Sequence, residues 1–302
     1  MKFVLEYPSE LPTAPADFLR PDVIRDVVAQ AEDSRFSGVA LSEHPAPSLK
    51  WHANGGHNTL DPVAALSFMA GVTTTIKLMT NLYVLPFRSP YLSAKALGSV
   101  DLMSGGRLIA GVGAGYLRSE FSAVGVAFER RAALFDEALD ALRSIWTDPE
   151  TPIGGVDFEA TGPLWLQRPT QEPHPPIWIG GNSPAAIRRV VEYGTGWMPL
   201  IVGKAMASAI RTPAIETPAQ FSDELDILRR RLADTGRDPA SIDVQIVCPP
   251  TDLDDAASVR AAQAFLDDLR GRGATWAVVH VDGSSPQAAV NYIKRFGAMF
   301  TA

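Results

Sequence analysis

Residues 76–121 predict a strand, a helix and a second strand, and this order at this spacing is typical of a parallel sheet. The two strands are the apolar, β-rich runs 78–85 and 107–112. The first run contains the polar pair Thr80-Asn81, and the second leads into a glycine-rich loop. Such interruptions are unusual in buried strands, so both mark candidate ligand-binding positions.

The same alternation runs along the whole chain. Eight candidate strands lie at residues 2–6, 38–41, 78–85, 107–112, 177–179, 195–200, 242–247 and 276–281. The candidate helices lie at residues 21–35, 63–71, 90–103, 129–146, 184–193, 218–235, 259–270 and 286–296. This order predicts an α/β protein, a (β/α)8 TIM barrel forming a single domain over residues 1–302, with an open doubly wound sheet as the alternative. Irregular segments near 151–170 and 202–217 predict insertions, the second as a mobile loop or lid.

Composition excludes several classes of function. The formal net charge of -7 argues against a nucleic-acid-binding surface, because contact with phosphates needs clustered Lys and Arg. The single cysteine, Cys248, cannot form an intrachain disulfide, which fits a reducing, cytoplasmic setting. The first residues lack the apolar core of a signal peptide, and no apolar run of about 18 residues predicts a membrane span.

In a barrel of this kind, functional residues collect at the carboxyl ends of the strands. Glu43 and His44 follow the second predicted strand. His44 is a candidate general acid or base, and Glu43 is a candidate for orienting its ring or contacting a cofactor nitrogen. The alternatives are a structural histidine bonded to backbone and a solvated glutamate.

The loop after the fourth strand contains Gly113, Ala114, Gly115 and Tyr116. A G-x-G-x-x-G dinucleotide fingerprint starting at Gly111 would need glycine at position 116, where Tyr116 stands. Small residues that let backbone approach a ligand, followed by a phenolic hydroxyl, favour a mononucleotide-like cofactor with its phosphate near this loop.

After the fifth strand, Gly180, Gly181, Asn182 and Ser183 precede a predicted helix. Backbone N–H groups and the helix dipole meet at such a point, so this run is a candidate phosphate site. The alternative is an ordinary Ser183 N-cap after a tight turn.

Motifs for other chemistries lack support. His52 and His57 lie near Trp51 without a third ligand at metal-binding spacing, and all three are candidates for lining a substrate pocket. The sequence contains no G-x-S-x-G elbow and no G-x-x-x-x-G-K-[ST] loop, so hydrolase and P-loop functions are not indicated.

Four segments together form a more specific pattern. They are SEHP at 42–45, LDPVAALSFMAGVTTTIKLMTNLYVLPFRSPYLSAKALGSVDLMSGGRLIAGVGAGYLRSEF at 60–121, FERRAALFDEAL at 128–139, and PHPPIWIGGNSPAAIRRVVEYGTGWMP at 173–199. The chain resembles the luciferase-like monooxygenase superfamily and, within it, the deazaflavin (coenzyme F420)-dependent oxidoreductases. The resemblance covers nearly the whole length and implies a (β/α)8 barrel with the cofactor in the mouth at the strand carboxyl ends.

The resemblance also implies roles for particular residues. Thr80, Asn81 and Leu82 are expected behind the cofactor ring, with a non-proline cis peptide bond between Asn81 and Leu82. The loop 113–116 and the run 180–183 match the phosphate-side contacts of the family.

Glu43 and His44 match an acidic residue and a histidine of deazaflavin dehydrogenases. In those enzymes the histidine is proposed to take the substrate's hydroxyl proton while hydride passes to C5 of the deazaflavin. Pro45 follows His44 where relatives have an aromatic residue, so the resemblance implies a different pocket here.

The sequence does not decide between two cofactors, because F420 and FMN share the ring shape and a phosphate. F420 is favoured, and FMN is the alternative. The F420 tail also carries acidic lactyl-glutamates, for which Lys50, Arg88 and Arg118 are candidate partners. The function implied is hydride transfer between the deazaflavin and a small organic substrate. The alternatives are an FMN-dependent monooxygenase and a cofactor-binding protein with little catalysis. We expect a homodimer without nucleic-acid or membrane partners.

Overall fold

Parallel strands close into a barrel in the computed structural model, which describes residues 1–301. The strands are β1 (Lys2–Glu6), β2 (Gly38–Leu41), β3 (Lys77–Thr80), β4 (Tyr83–Val84), β5 (Leu108–Gly113), β6 (Ile177–Gly180), β7 (Gly196–Met198), β8 (Asp243–Val247) and β9 (Trp276–Val279). Their order is β3-β2-β1-β9-β8-β7-β6-β5-β4, and β3 also pairs with β5 to close the barrel. Most are continuous apolar runs, as expected for strands buried on both faces.

Strands β3 and β4 share one of the eight barrel positions. Leu78 pairs with Leu108 before the interruption, and Tyr83 pairs with Val112 after it. The peptide bond between Asn81 and Leu82 is cis, as the resemblance implied. The run 78–85 is therefore not one strand, as the sequence predicted, but two strands and a turn of 3-10 helix.

Helices follow the strands around the barrel. They are α1 (Pro21–Asp33), α2 (Leu49–Ala53), α3 (Pro62–Val72), α4 (Pro90–Ser104), α5 (Arg118–Ala123), α6 (Arg131–Thr147), α7 (Pro184–Glu192), α8 (Lys204–Ala209), α9 (Pro218–Asp234), α10 (Ala256–Arg272) and α11 (Pro286–Phe300). Four of them begin with a proline behind an N-cap side chain that accepts a backbone hydrogen bond, namely Asp61, Ser183, Thr217 and Ser285. The capping side chain and the proline that follows it together set the residue at which each of these helices begins.

Two apolar layers hold the barrel. The larger lies between strands and helices. The smaller fills the barrel interior and consists of Val4, Ala40, Met79, Ile109, Trp178, Met198, Trp276 and Val278, with Leu82 packed against it. The Trp178 and Trp276 rings meet edge to face at 5.2 Å. A Cβ on Gly196 would overlap the Trp178 ring, so this strand position has no room for a side chain.

The predicted (β/α)8 barrel is confirmed, while several local features differ. No strand forms at 156–158 or 164–166, where the sequence suggested short ones, and a single bridge joins Gly154 to Glu159. The short helices α2, α5 and α8 were not predicted, because each has too few residues to show helical periodicity. Within the described residues, no helix is both long and apolar enough to cross a membrane.

Candidate active site

The carboxyl ends of the strands bring titratable and hydrogen-bonding side chains to one mouth of the barrel. These include Glu6 at the end of β1, His44 after β2, Asn81 after β3, Tyr116 after β5 and His280 after β9. The same end of parallel strands carries the active site in barrels of this class.

His44 is held by Glu120 of α5. Nδ1 of His44 lies 3.3 Å from each carboxylate oxygen of Glu120. Both side chains are buried, with 9% of His44 and 3% of Glu120 exposed. In the neutral imidazole, this carboxylate contact places the proton on Nδ1 and leaves the lone pair on Nε2 of His44. His44 is therefore arranged as a proton acceptor.

Aromatic rings surround His44. The ring centres of Trp51, His57 and Tyr116 lie 4.4, 5.5 and 6.0 Å from that of His44. Trp51 Nε1 donates a hydrogen bond of 3.2 Å to the hydroxyl of Tyr116. Burial raises the pKa of Tyr116, which keeps its hydroxyl protonated and able to donate to a ligand. His52 instead lies exposed on α2.

Glu43 is bonded to protein groups other than His44. Its Oε1 forms an ion pair with Arg88, and its Oε2 accepts a 2.6 Å hydrogen bond from the backbone N–H of Val84. The guanidinium of Arg88 also lies 4.4 Å from the ring centre of Tyr83. Glu43 thus fixes the segment after the cis peptide bond, while Glu120 orients the imidazole.

Glu6 forms a second acid–imidazole pair in the mouth. It pairs with Nε2 of His280 and accepts a 3.1 Å hydrogen bond from Nδ2 of Asn81. Burial opposes ionisation of Glu6, but the hydrogen bond and charge of His280 outweigh it and hold the pKa of Glu6 below its usual range. Burial likewise opposes the charge on His280, and Glu6 still raises the pKa of His280. This pair is therefore ionic.

The pKa of Glu10 is shifted upward, in the direction opposite to that of Glu6. Burial, and then the charge of Glu6, raise the pKa of Glu10 to about 8. Its Oε2 accepts a 3.1 Å hydrogen bond from the Ser42 N–H, and His57 Nδ1 lies 3.7 Å away. Within the described residues, Oε1 of Glu10 and Oγ of Ser42 are buried without hydrogen-bond partners. Both atoms are shielded from solvent, so in this conformation they present no surface to a ligand.

The residues expected behind a cofactor ring are packed into the barrel. The Thr80 hydroxyl donates a 2.7 Å hydrogen bond to the Gly111 carbonyl. A Cβ on Gly113 would come within 2.9 Å of Leu82 Cδ1, and one on Gly180 would overlap the same side chain. These two glycines therefore make room for Leu82, which lies against the interior layer.

The run 180–183 makes several contacts within the protein. The N–H of Gly181 donates to Met198 O at 3.1 Å. Ser183 caps α7 by accepting a 3.1 Å hydrogen bond from Ala186 N–H. A Cβ on Gly181, where φ is +106°, would meet only Ala186 Cβ and Thr212 Oγ1 within 4 Å, both at 3.8 Å. The space beside the Cα of Gly181 is thus open, but its N–H is bonded to Met198 O and its carbonyl accepts a 2.9 Å hydrogen bond from Trp197 Nε1. Ser183 has the N-cap role that was the alternative to a phosphate contact.

Asn182 holds the segment that follows β7. Its side-chain Nδ2 donates 2.8 Å hydrogen bonds to Leu200 O and Pro213 O, and its Oδ1 accepts from Leu200 N–H at 2.9 Å. With 3% of Asn182 exposed, the amide is fully used by the protein. Asn182 thus binds Leu200, just before the predicted lid region 202–217, and Pro213 within it.

Arg211 and Thr212 connect the two loops predicted to face phosphate. Arg211 Nε donates a 3.2 Å hydrogen bond to Tyr116 O, at the end of the loop 113–116. Thr212 Oγ1 accepts a 2.9 Å hydrogen bond from Asn182 N–H, in the run 180–183. The structure therefore brings these loops together through neighbouring residues of a third segment.

The arrangement fits a planar-ring cofactor with a phosphate better than a metal ion. Aromatic side chains form one wall beside His44, and open space beside the Cα of Gly181 adjoins the first turn of α7. Among residues 1–301, no group of three or more His, Cys, Asp or Glu side chains is placed to hold a metal ion.

Sequence reasoning missed Glu6, Glu10, Glu120 and His280. Glu6 and His280 stand at the carboxyl ends of their strands, so the same rule that selected His44 would have found them. Glu120 lies in the short helix α5, and its only signal was an acidic residue beside the apolar Phe121. Glu10 had no signal that distinguishes it from a solvated acid.

Residues 1–292 match the model of the luciferase-like monooxygenase family. The chain belongs to this family.

The curated relatives of this luciferase-like protein match only part of its chain and only part of their own. One is the uncharacterized protein y4vJ of Sinorhizobium fredii, 33% identical over 175 residues that make up 57% of this chain and 48% of that protein. The chain thus spans about half the length of the curated relatives that it matches first.

Solved structures match the luciferase-like barrel over its whole length. The monooxygenase RslO1 from Streptomyces bottropensis is 22% identical, with a TM-score of 0.82 and coverage of 100% of this chain and 99% of that chain. An F420-dependent secondary alcohol dehydrogenase, in complex with an F420-acetone adduct, is 16% identical, with a TM-score of 0.76 and the same coverages. At these identities the likeness shows the fold, and the fold alone does not choose between the two chemistries.

Proposed function

We propose that the chain is an F420-dependent oxidoreductase that transfers a hydride between the deazaflavin and a small organic substrate. The observation that supports this most is the buried pair of His44 and Glu120, which leaves Nε2 of His44 as a proton acceptor at the strand ends. Hydride transfer to or from an alcohol or carbonyl carbon requires a proton transfer at the oxygen, and a positioned histidine is the usual group for it.

The cofactor is proposed to lie across the barrel mouth. Residues 80–82 and His44 would contact its ring, and the loop 113–116 with the first turn of α7 would face its phosphate. When bound, a deazaflavin supplies a ring carbon that accepts or gives a hydride. The open space beside the Cα of Gly181 and the link made by Arg211 and Thr212 support this placement.

His44 moves the proton in this proposal. Its Nε2 takes the hydroxyl proton of an alcohol substrate, or its protonated form returns a proton to a carbonyl oxygen. Glu120 holds Nδ1–H and stabilises the positive charge that develops on the imidazole, so the ring keeps one orientation throughout. General acid–base catalysis of this kind contributes roughly 10²–10⁴-fold in rate.

The surrounding residues orient the substrate and exclude water. Trp51 and Tyr116 are linked by a hydrogen bond and form a wall beside His44. The protonated Tyr116 hydroxyl offers a polar contact to a substrate or to the cofactor. Glu43 contributes indirectly, because its bonds to Arg88 and Val84 fix the segment that would lie behind the ring.

An FMN-dependent monooxygenase is the second candidate, supported by the likeness to the monooxygenase RslO1. Titration of the purified chain with F420 and with FMN, followed by fluorescence, distinguishes the two. We expect F420 to bind more tightly than FMN. Tight binding of FMN together with no binding of F420 would refute the proposal.

Catalysis is tested separately from binding. The F420-loaded chain is mixed with a panel of small alcohols, and reduced F420 with small carbonyl compounds, and deazaflavin absorbance is followed without oxygen. Redox change with at least one compound is the expected result. Binding of F420 without hydride exchange across the panel would favour a cofactor-binding protein with little catalysis.

We also propose that the chain acts as a cytoplasmic homodimer. Helices α3 and α4 expose Phe68, Leu92 and Met103, with 39%, 63% and 62% of their surfaces accessible. Apolar side chains grouped on neighbouring helices are suited to a second copy of the chain. Sedimentation of the wild type and of a Leu92→Glu, Met103→Glu variant tests this, and a monomeric wild type would contradict it.

A further inference from the structure

A second cavity lies at the amino ends of the barrel strands and has a volume of about 550 Å³. Its lining includes the first residues of β1, β3, β8 and β9, which are Lys2, Lys77, Asp243 and Trp276. Lys2 Nζ lies 4.7 Å from the centre of the Trp276 ring. We call this space the amino-end cavity. Because the candidate active site lies at the carboxyl ends of the same parallel strands, the two sites are at opposite ends of the barrel.

Lys2 and Lys77 occupy strand positions that face the barrel interior. Side chains alternate along a strand, and Val4 and Met79, two residues further on, belong to the interior layer. Gly38 pairs with both Val4 and Lys77 in the sheet. A Cβ on Gly38 would meet Val4 Cγ2 at 3.5 Å and Lys77 Cβ at 3.7 Å, so these side chains share one face. Such positions are usually filled by bulky apolar residues, and two lysines there are unusual.

The charges of the two lysines are not neutralised by acids. Lys77 Nζ donates a 3.2 Å hydrogen bond to Gly106 O, and among residues 1–301 neither ammonium group forms an ion pair with a carboxylate. Burial lowers the pKa of Lys77, although the charge of Asp101 opposes this change. The charges of Arg107 and Lys2 add to the lowering, so the two lysines repel each other.

The acids of the lining are exposed or bonded to other groups. Glu172 and Glu192 are exposed, and Glu192 pairs with Arg188 at 2.7 Å. Oδ1 of Asp243 accepts a 3.0 Å hydrogen bond from the hydroxyl of Thr275. These three acids therefore leave the ammonium groups of the two lysines without a negative partner.

Two arginines add positive charge to the same cavity. Arg143 has 47% of its side chain exposed and lies 3.7 Å from the exposed Asp140. Arg237 donates hydrogen bonds to the backbone carbonyls of residues 190, 191 and 194. The lining thus carries four cationic side chains and three acidic ones, in a chain whose net charge is -7. Local positive charge in an acidic protein favours an anion.

The interior-facing residues at this end are also incompletely hydrogen-bonded. Gln245 lies opposite Trp276 in the register of β8 and β9. Within the described residues, Oε1 of Gln245 and Nε1 of Trp276 are buried without hydrogen-bond partners. Both atoms are shielded, so we do not count them as ligand contacts. They show that the polar groups of this part of the barrel are not satisfied by the chain alone.

We infer that the amino-end cavity binds a small oxyanion, with its phosphate or carboxylate oxygens held between the ammonium groups of Lys2 and Lys77. Hydrogen bonds between ionised groups are stronger than those between neutral ones, and an ammonium binds such oxygens as a point charge. The anion also offsets the repulsion between the two lysines. This inference is independent of the proposed function, because none of these residues lies in the barrel mouth.

The test measures anion binding by titration calorimetry of the whole chain. The probes are sodium phosphate and sodium succinate, with sodium chloride at matched ionic strength as the reference. The variants are Lys2→Met, Lys77→Met and Asp243→Asn. The control is Lys95→Met, because Lys95 is an exposed lysine of α4, remote from the strand ends in sequence.

The wild type should bind at least one of the two oxyanions, and which one it binds identifies the group that the site recognises. Lys2→Met and Lys77→Met should each weaken binding by roughly three- to tenfold. Asp243→Asn should tighten it, because a negative charge is removed while the amide oxygen can still accept from Thr275. Lys95→Met should bind as the wild type does.

Thermal unfolding separates a binding role from a structural one. The anion should raise the Tm of the wild type, and should raise it less in the two lysine variants. Without anion, Lys2→Met and Lys77→Met should unfold no lower than the wild type, because each removes a charge that has no acidic partner. A lower Tm in both variants with unchanged anion affinity would make the lysines structural and overturn the inference.

Two further results would also overturn it. One is no binding of phosphate or succinate by the wild type, and the other is equal weakening in Lys95→Met and Lys77→Met. The dissociation constant for F420 should be the same in the wild type and in the two lysine variants. Failure of the anion site therefore leaves the proposed function as it stands.

Discussion

His57 Nδ1 lies 3.7 Å from Oε2 of Glu10, and only 16% of the His57 side chain and 2% of the Glu10 side chain are exposed. Burial and then the charge of Glu6 raise the pKa of Glu10 to about 8. Burial and then the charge of His44 lower the pKa of His57. At neutral pH both partners are therefore mainly uncharged, in contrast to the ionic pair of Glu6 and His280 beside them.

The state of Glu10 predicts a pH dependence of stability. Its pKa is about 8 in the folded protein against a model value of 4.5, so its contribution is full below the unfolded value and is lost as pH rises through about 8. The loss is on the order of 4 kcal/mol. Glu10→Gln stays neutral, so urea unfolding between about pH 5 and pH 9 should show a flatter stability profile. The exposed Glu129→Gln should keep the wild-type profile, and equal slopes for Glu10→Gln and wild type would exclude a buried neutral Glu10.

Replacement of His44 should affect turnover more than cofactor binding. We expect His44→Ala to lower kcat by about 10²–10⁴-fold, because the proton acceptor is lost. Its dissociation constant for F420 should rise only a few-fold. The matched control is His52→Ala, since His52 is exposed on α2 and should leave both quantities unchanged. Equal losses in kcat and in affinity would make His44 a binding residue only.

The barrel could be predicted from the sequence because its signals are local. Apolar runs at strand spacing, helices that start at a capped proline, and polar residues at strand ends all lie within short windows. His44 and the segment around Asn81 were selected by these signals. The cis bond after Asn81 came from the resemblance and is present in the structure.

The side-chain partners could not be predicted in the same way, because they are distant along the chain. His44 and Glu120 are 76 residues apart, and Glu43 meets Arg88 across 45 residues. Which acid reaches which base depends on rotamers and on loop paths that the hydrophobic pattern does not encode. The neutral state of Glu10 depends in addition on burial, which only the assembled mouth creates.

A side chain at Gly111 should disturb the segment that lies behind the proposed cofactor ring. A Cβ there would overlap the carbonyl oxygen of Thr80 and lie 3.0 Å from Met198 Sδ. We expect Gly111→Ala to lower the free energy of unfolding by about 1–3 kcal/mol, since backbone must move. Gly71→Ala is the control, because Gly71 lies exposed in α3 with no described atom within 4 Å of a Cβ, and the higher helix propensity of alanine should raise the free energy of unfolding by up to about 1 kcal/mol. Similar effects at the two positions would show that the barrel tolerates a side chain at Gly111.

Loss of the Asn182 amide should release the segment 200–213 without unfolding the barrel. Asn182→Ala leaves Leu200 O, Pro213 O and Leu200 N–H without their partner, at a local cost of about 2–3 kcal/mol. Hydrogen exchange should therefore accelerate within this segment and stay unchanged in β1 and β9. The control is Asn291→Ala, because Asn291 is exposed and, among residues 1–301, its Oδ1 accepts a hydrogen bond from Gln287 alone. Release of this segment also loosens Arg211, which bonds to Tyr116 O of the loop 113–116, so the variant should weaken cofactor binding several-fold. Unchanged exchange in 200–213 would mean that other contacts hold the segment in place.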